Sequence, residues 1–327
     1  MSLAHVHTPS TTAPEHRITR SSLLVNVLVL VGLVLALVGC RSTPLESGRD
    51  SAPAARELVD LRSRILEYTA DISPDGTYTP PDKEQRERLA AGVGHLLQGD
   101  TKEAERLLAT VGFTVTRLTD TATGRRYDEV ASLRKGEGER WGRLYLAADS
   151  GIHWSAQVPH PVADRDTEEL GVRLLEDAPG GALVLAGAHR HAGRGNAADV
   201  AHRKDSAFHA IVEELQKRAV PGVQLHGFAR SSDRPYDAIV STGAVQSASA
   251  EVSALADVME ADGLRVCRGW SARCPLEGTT NAQGEAAKRR HTDFVHVELA
   301  PGARGDGRDA DEAAKALSGL LTTWAKD

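Results

Sequence analysis

Four segments of this 327-residue chain set histidines among carboxylates in a pattern able to do hydrolytic chemistry. VPHPVADRDTEEL presents His160, Asp164, Asp166, Glu168 and Glu169, and AGAHRHAGRGNAADVAH presents His189, Arg190, His191, Asp199 and His202. VQLHGFAR adds His226, and FVHVEL adds His296 and Glu298, whose spacing of two puts both on one face of a strand. An imidazole with a nearby carboxylate, plus a second imidazole far along the chain, is what a three-ligand zinc site needs. Two ligands on one loop pre-organise the site, the distant one closes it once the chain has folded, and a fourth position stays open for water. A separate carboxylate must then take the proton of that water, and Glu298 is expected to do so.

The elements that must position these residues follow from periodicity. From about Gly151, short Val/Leu/Ala runs alternate with amphipathic stretches. Strands are expected at Gln157-Val158, Ala182 to Ala186, Val223 to Leu225, Ala238 to Ser241, Arg265 to Cys267 and Phe294 to Leu299. Helices are expected at Asp166 to Glu176, Ser206 to Arg218, Ser247 to Asp262 and Asp309 to Ala325. Such alternation predicts an α/β fold, a mixed and largely parallel sheet flanked by helices, with ligands at the carboxyl ends of strands. The histidine motifs fall at those ends.

The preceding region reads differently. Helical spacing runs through Leu58 to Thr69 and through Lys83 to Ala109, the latter split at Gly99-Asp100. Strand patterns follow at Phe113 to Leu118, Arg126 to Val130 and Gly142 to Ala147. Residues 58–150 are therefore expected to form a small α+β accessory module, and residues 151–327 the metallohydrolase-like domain.

At the amino terminus, an apolar run from Leu23 to Gly39 is broken only by Asn26 and preceded by Arg17 and Arg20. It is a targeting segment. Leu37-Val38-Gly39-Cys40 resembles the lipobox of bacterial lipoproteins, which implies cleavage before Cys40, a diacylglyceryl thioether on its sulfur, and a location in the bacterial cell envelope outside the cytoplasm. On this reading residues 1–39 are signal peptide and residues 40–57 a lipidated tether of polar and small residues. An uncleaved signal anchor is the competing reading. Cys267 and Cys274 lie close enough to close a small disulfide loop in an oxidising compartment.

Composition sets outer limits. A formal net charge of −6 lacks the basic signature of a nucleic-acid binder, and 4% aromatic residues supply few stacking platforms. A hydrophobic fraction of 41% excludes wholesale disorder.

His160 with Asp164 and the following Thr167-Glu168-Glu169-Leu170, then His226-Gly227, then Val297-Glu298-Leu299, resemble the zinc-dependent poly-γ-glutamate hydrolases. The likeness to zinc carboxypeptidases and N-formylglutamate amidohydrolases is more distant. It covers roughly the carboxyl-terminal half of the chain. It implies a carboxypeptidase-like α/β fold, one zinc ion, and hydrolysis of an amide adjoining a carboxylate. Carried over by position, His160, Asp164 and His226 would be metal ligands and Glu298 the base. Pro161-Val162-Ala163 replace the family's glycines in a loop one residue shorter, so Asp164 stands where a Glu is expected, and Glu168 is the alternative ligand.

Other residues rest on chemistry alone. Arg190 offers a planar fork for a substrate carboxylate. His189 and His202 could donate hydrogen bonds to an oxyanion or support a ligand. Asn281 is expected to help grip a terminal carboxylate, while Lys288-Arg289-Arg290 reads as a solvated turn. The implied substrate is a small acidic peptide or acylated amino acid, in peptidoglycan or poly-γ-glutamate. Two further readings compete: an envelope-binding lipoprotein that keeps the fold without catalysis, and a metal-binding surface made by His189, His191 and His202.

Overall fold

Asp60, Asp82, Asp100, Ser206, Ser249 and Asn281 each turn a side-chain oxygen onto a backbone N–H of the following turn, and so fix where helices begin. The computed structural model describes residues 55–133, 138–231 and 234–326; the apolar run, Cys40 and most of the expected tether lie outside them. Among the described residues, no helix is long and apolar enough to cross a membrane.

The chain runs β1 (Glu57–Val59), α1 (Leu61–Ala70), α2 (Lys83–Leu97), α3 (Thr101–Thr110), β2 (Phe113–Asp120), β3 (Arg126–Ser132), β4 (Arg143–Ala147) and β5 (Trp154–Val158). It continues with α4 (Thr167–Asp177), β6 (Gly181–Leu185), α5 (Ala207–Gln216), β7 (Gly222–Gly227), β8 (Ala238–Ser241) and α6 (Ala250–Ala261). It ends with β9 (Val266–Arg268), α7 (Ala282–Arg290), β10 (Phe294–Leu299) and α8 (Arg308–Trp324).

The strands form one mixed sheet in the order β1-β2-β3-β4-β6-β5-β7-β10-β8-β9. Its centre, β6-β5-β7-β10, is parallel throughout, so the carboxyl ends of those strands open on one edge. One face is covered by α1, α4, α6 and α8 over a core that includes Ile65, Leu174, Leu255 and Leu317. On the other face α2, α3 and α5 bury Val93, Leu108, Phe208 and Val212. Each fully buried side chain of this size contributes roughly 1.5–3 kcal/mol, enough to hold the loops at the sheet edge to a fixed frame.

The α/β expectation holds, with three differences. Glu57–Val59 is a strand pairing parallel with β2, where a helix from Leu58 is expected; the helix begins only after the Asp60 cap. Residues 282–290, expected as loop and solvated turn, form α7, whose buried side is Ala and Gln with no apolar stripe. The expected boundary near Gly151 falls inside the continuous sheet: β4 pairs antiparallel with β6 from Arg143↔Leu185 to Leu146↔Ala182, and the described residues form one compact unit.

Candidate metal centre

The loop after β5 folds back on itself. The Asp164 N–H donates to the His160 carbonyl at 2.9 Å, and Val162 at its tip takes φ +66°, a left-handed conformation that a β-branched residue rarely adopts. That tight return brings the Asp164 carboxylate under the His160 ring. His226, near the end of β7, arrives from the other side. Asp164 Oδ2 lies 3.1 Å from His160 Nδ1 and 3.1 Å from His226 Nδ1. Ligand atoms of the three residues lie within 4.8 Å of one another, and all three side chains are buried.

The far nitrogen of each imidazole faces an acceptor. His160 Nε2 is 2.8 Å from Asp199 Oδ1, and His226 Nε2 is 2.9 Å from Gln224 Oε1. With protons on both Nε2 atoms, two Nδ1 lone pairs and a carboxylate converge on one point. Such a donor set calls for a cation there, and acceptors on the far nitrogens are how metal-binding histidines are oriented. The residues present therefore fit a divalent metal of the kind that takes N and O ligands. Arg190 Nη1 comes within 3.4 Å of His160 Nδ1 and 4.0 Å of Asp164 Oδ1, where its charge offsets the buried carboxylates.

The electrostatics follow from this packing. Burial opposes ionisation of Asp164, but the adjacent His160 and His226 imidazoles outweigh it and hold the carboxyl well below the usual range. Asp199 is held low in the same way by His160, His202 and the Arg190 charge. Burial disfavours protonated His160, yet its bonds to Asp164 and Asp199 raise it above its ordinary value. His226 lacks a second carboxylate, and burial takes it down to about 4 despite its bond to Asp164.

Glu298 stands beside this cluster. Its side chain, 8% exposed, shares a second close group with His226 and His296, again within 4.8 Å. Burial first, and the Asp164 charge second, push its pKa up to about 8. His296 stacks on His226 with ring centroids 4.6 Å apart, and its buried Nδ1 has no hydrogen-bond partner among the described residues. Burial and the neighbouring imidazoles keep it neutral, well below its ordinary value.

These groups line a cavity of about 860 Å³ at the carboxyl edge of the sheet, with Arg190 and His202 on its wall. The opposite wall is the segment from Gly269 to Asn281, tied at its base by the Cys267–Cys274 disulfide, whose Cα atoms are 5.9 Å apart. Gly278 is held to glycine there: it has φ +62°, and a Cβ on it would meet the His296 ring at 2.5 Å.

The expected residues thus divide. His160, His226, Glu298, Arg190 and His202 line one cavity, and Asp164 lies against His160 and His226. Arg190 is not a free fork, because Nη2 is bound to Asp199 Oδ2 at 3.0 Å. His202 Nδ1 lies 3.2 Å from Asp199 Oδ1. Glu168 joins neither close group; its Oε2 accepts from the Val162 N–H at 3.4 Å. Asn281 lines the cavity, but both ends of its amide are spent, Oδ1 on the backbone N–H groups of Gln283 and Gly284 and Nδ2 on Gln224. Among the described residues, His189, His191 and His202 do not converge as a metal-binding trio.

Two contributors escape a reading by sequence. Asp199 stood in the second histidine motif, but only the fold shows it bridging His160, Arg190 and His202. Gln224 carried a faint signal, a polar residue two before His226 and thus on the same strand face.

No protein-family model matches the chain, and no curated protein matches it. Among solved structures, the chain is similar to a bacteriophage poly-gamma-glutamate hydrolase at 13% identity and TM-score 0.41, covering 57% of this chain and 91% of that one. A succinylglutamate desuccinylase from Chromobacterium violaceum matches at 15% identity and TM-score 0.41, covering 71% and 73%. A metallo-carboxypeptidase from Burkholderia cenocepacia matches at 14% identity and TM-score 0.35, covering 76% and 69%.

Proposed function

We propose that this protein is a zinc-dependent hydrolase that cleaves an amide or peptide bond next to a carboxylate, outside the cytoplasm and anchored by lipid at Cys40. The observation that carries the catalytic reading is the convergence of His160, Asp164 and His226 at a cavity that also holds a buried acid, Glu298. His160 and His226 through Nδ1, and Asp164 through Oδ2, would hold the metal. Bound there, zinc supplies Lewis acidity, polarising the scissile carbonyl and making water nucleophilic at neutral pH.

The chain's own groups do the rest. Glu298 takes a proton from the attacking water and returns it to the leaving amine, a role suited to a carboxyl whose surroundings raise its proton affinity. Arg190, fixed by Asp199, keeps Nη1 at the cavity wall to meet a substrate carboxylate or the charge that develops on the carbonyl oxygen. The loop from Gly269 to Asn281 forms the opposite side of the cavity. An anionic, non-aromatic substrate suits these groups: a γ-glutamyl chain, a peptidoglycan peptide or an acylated amino acid.

The Cys267–Cys274 disulfide supports placement in an oxidising compartment, as the envelope would be. Mass spectrometry of the membrane-extracted protein checks the anchor: the amino-terminal peptide should begin at Cys40 with a diacylglyceryl adduct. A screen of γ-glutamyl, peptidoglycan and N-acyl amino-acid substrates, with and without zinc, checks the activity. Turnover that needs zinc and disappears in Glu298→Gln while zinc is retained supports the reading. Metal retained with no turnover on any of these classes favours the binding-only lipoprotein.

A further inference from the structure

Beyond Gln157 the sheet stops fixing the ligand loop. The ladder between β5 and β7 ends at Gln157↔Gln224, whereas His160 and Asp164 lie on the loop past β5 and His226 lies near the end of β7. Register therefore places His226 against Glu298, but it leaves open the distance of the loop from that pair. Arg304 supplies the further tie. The chain leaves β10 through the short turn Pro301–Ala303 and doubles back, so that the Arg304 side chain lies across Gly227.

Its hydrogen bonds among the described residues all go to backbone carbonyls. Nε donates to Arg165 at 2.6 Å, and Nη1 donates to Phe228 at 3.2 Å and to Leu299. Arg165 follows Asp164, Phe228 is two residues past His226, and Leu299 follows Glu298. One planar fork thus binds the backbone beside two of the candidate ligands and beside the buried acid. Hydrogen bonds from a charged donor are roughly twice as strong as neutral ones. The seat is matched to the fork: a Cβ on Gly227 would lie 2.6 Å from Arg304 Cζ and 2.6 Å from Nη1, so glycine is what lets the guanidinium reach all three carbonyls.

We propose that Arg304 is a positioning residue of the metal centre, a clasp that holds the loop bearing Asp164 at a fixed distance from the strand pair bearing His226 and Glu298. Gly227 makes room for it. The clasp accounts for the glycine after His226, and for an arginine that directs its donors at carbonyls rather than at a carboxylate. Its effect on metal affinity rests on the metal reading above; the clasp itself does not.

Two variants test it by different routes. Arg304→Ala removes the guanidinium, whereas Gly227→Ala keeps it and its charge but drives it from its seat. In metal-free protein, the Asp164 amide, which donates to the His160 carbonyl, and the Phe228 amide, which donates to Leu299 at 3.1 Å, should exchange about 10-fold faster in both variants. The Gly269 amide, bonded to the Val240 carbonyl, should exchange as in wild type. Unchanged protection at Asp164 and Phe228 overturns the clasp whether or not metal binds. Zinc affinity, read by competition with a chromophoric chelator, should fall about 10–100-fold in each single variant and no further in the double variant, since both disrupt one contact. The visible spectrum of the cobalt-loaded protein, which reports ligand geometry, should change with it. Unchanged affinity and spectrum, or losses that add in the double variant, overturn the positioning role. A wild type that binds no zinc would refute the metal reading instead, and amide exchange would still decide the clasp. If Arg304→Ala fails to fold, Gly227→Ala carries both measurements.

Discussion

Glu298 on β10 is the direct register partner of His226 on β7, so a buried acid and a buried imidazole stand side by side at the end of two parallel strands. The pair forms without any loop, from the sheet register alone. That location makes Glu298 costly to ionise, and the cost is measurable. Its carboxyl has a pKa of about 8 against an ordinary 4.5.

Below the ordinary value both folded and unfolded chains hold the proton, and Glu298 costs nothing. Between there and pH 8 the unfolded chain releases it while the folded chain does not, so its contribution to stability falls as pH rises. Glu298→Gln never ionises. In chelator-treated protein it should match wild type near pH 4 and exceed it above pH 8, by on the order of 2–4 kcal/mol. Urea denaturation at both pH values checks this, and equal stability at the higher pH contradicts it. In the zinc-loaded protein the same variant should lose turnover by about 10²–10⁴-fold.

Asp199 holds His160, Arg190 and His202 at once. Asp199→Asn should weaken zinc binding by about 10–100-fold with a small change in melting temperature. Because Asp164 and Asp199 raise the proton affinity of His160, zinc must displace a proton there, and wild-type affinity should decline as pH falls through that raised value. In Asp199→Asn the decline should shift to lower pH. Isothermal titration across pH 5–8 measures both effects.

Val162 stores strain in the turn that brings Asp164 beneath His160. A β-branched residue in the left-handed region costs about 1–2 kcal/mol, partly regained on glycine substitution, since glycine has more freedom to lose on folding. Val162→Gly should stabilise the protein by about 1 kcal/mol and leave zinc affinity unchanged. A destabilised variant in urea melts would show that the side chain contributes packing that outweighs the strain.

The cavity wall depends on the Cys267–Cys274 link. Replacing both by Ser frees the segment that includes Trp270, Glu277 and Gly278. Loop-closure entropy for so short a ring predicts a loss of about 2–3 kcal/mol. KM should rise more than kcat falls, because the wall encloses substrate while the ligands sit on the loop after β5 and on β7. Steady-state kinetics of the double variant decide this.

Much of the frame was legible because apolar runs mark buried strands: β8 and β10 fall where Ala238 to Ser241 and Phe294 to Leu299 were expected. The ligand loop was legible too, since His160 and Asp164 are near neighbours in sequence. What could not be read were contacts made by register and by polar burial. AQGEAAKRR has no apolar stripe, so α7 was hidden; it packs through Ala and Gln against other amides. Glutamine is ordinarily exposed, and only the place of Gln224 two residues before His226 hints at the buried layer it forms with Gln157 and Gln283. Asn281 suggested a substrate grip because its position near the cavity was inferable, whereas the cap that occupies its oxygen was not.

The most direct test is the metal content of the purified full-length protein and of Asp164→Asn, measured by inductively coupled plasma mass spectrometry after dialysis against a weak chelator. The wild type should retain one zinc per chain and Asp164→Asn should lose it, because the carboxylate between His160 and His226 carries the site's negative charge. A wild type without stoichiometric zinc, or a variant that retains it in full, would contradict the assignment of His160, Asp164 and His226 as a metal centre.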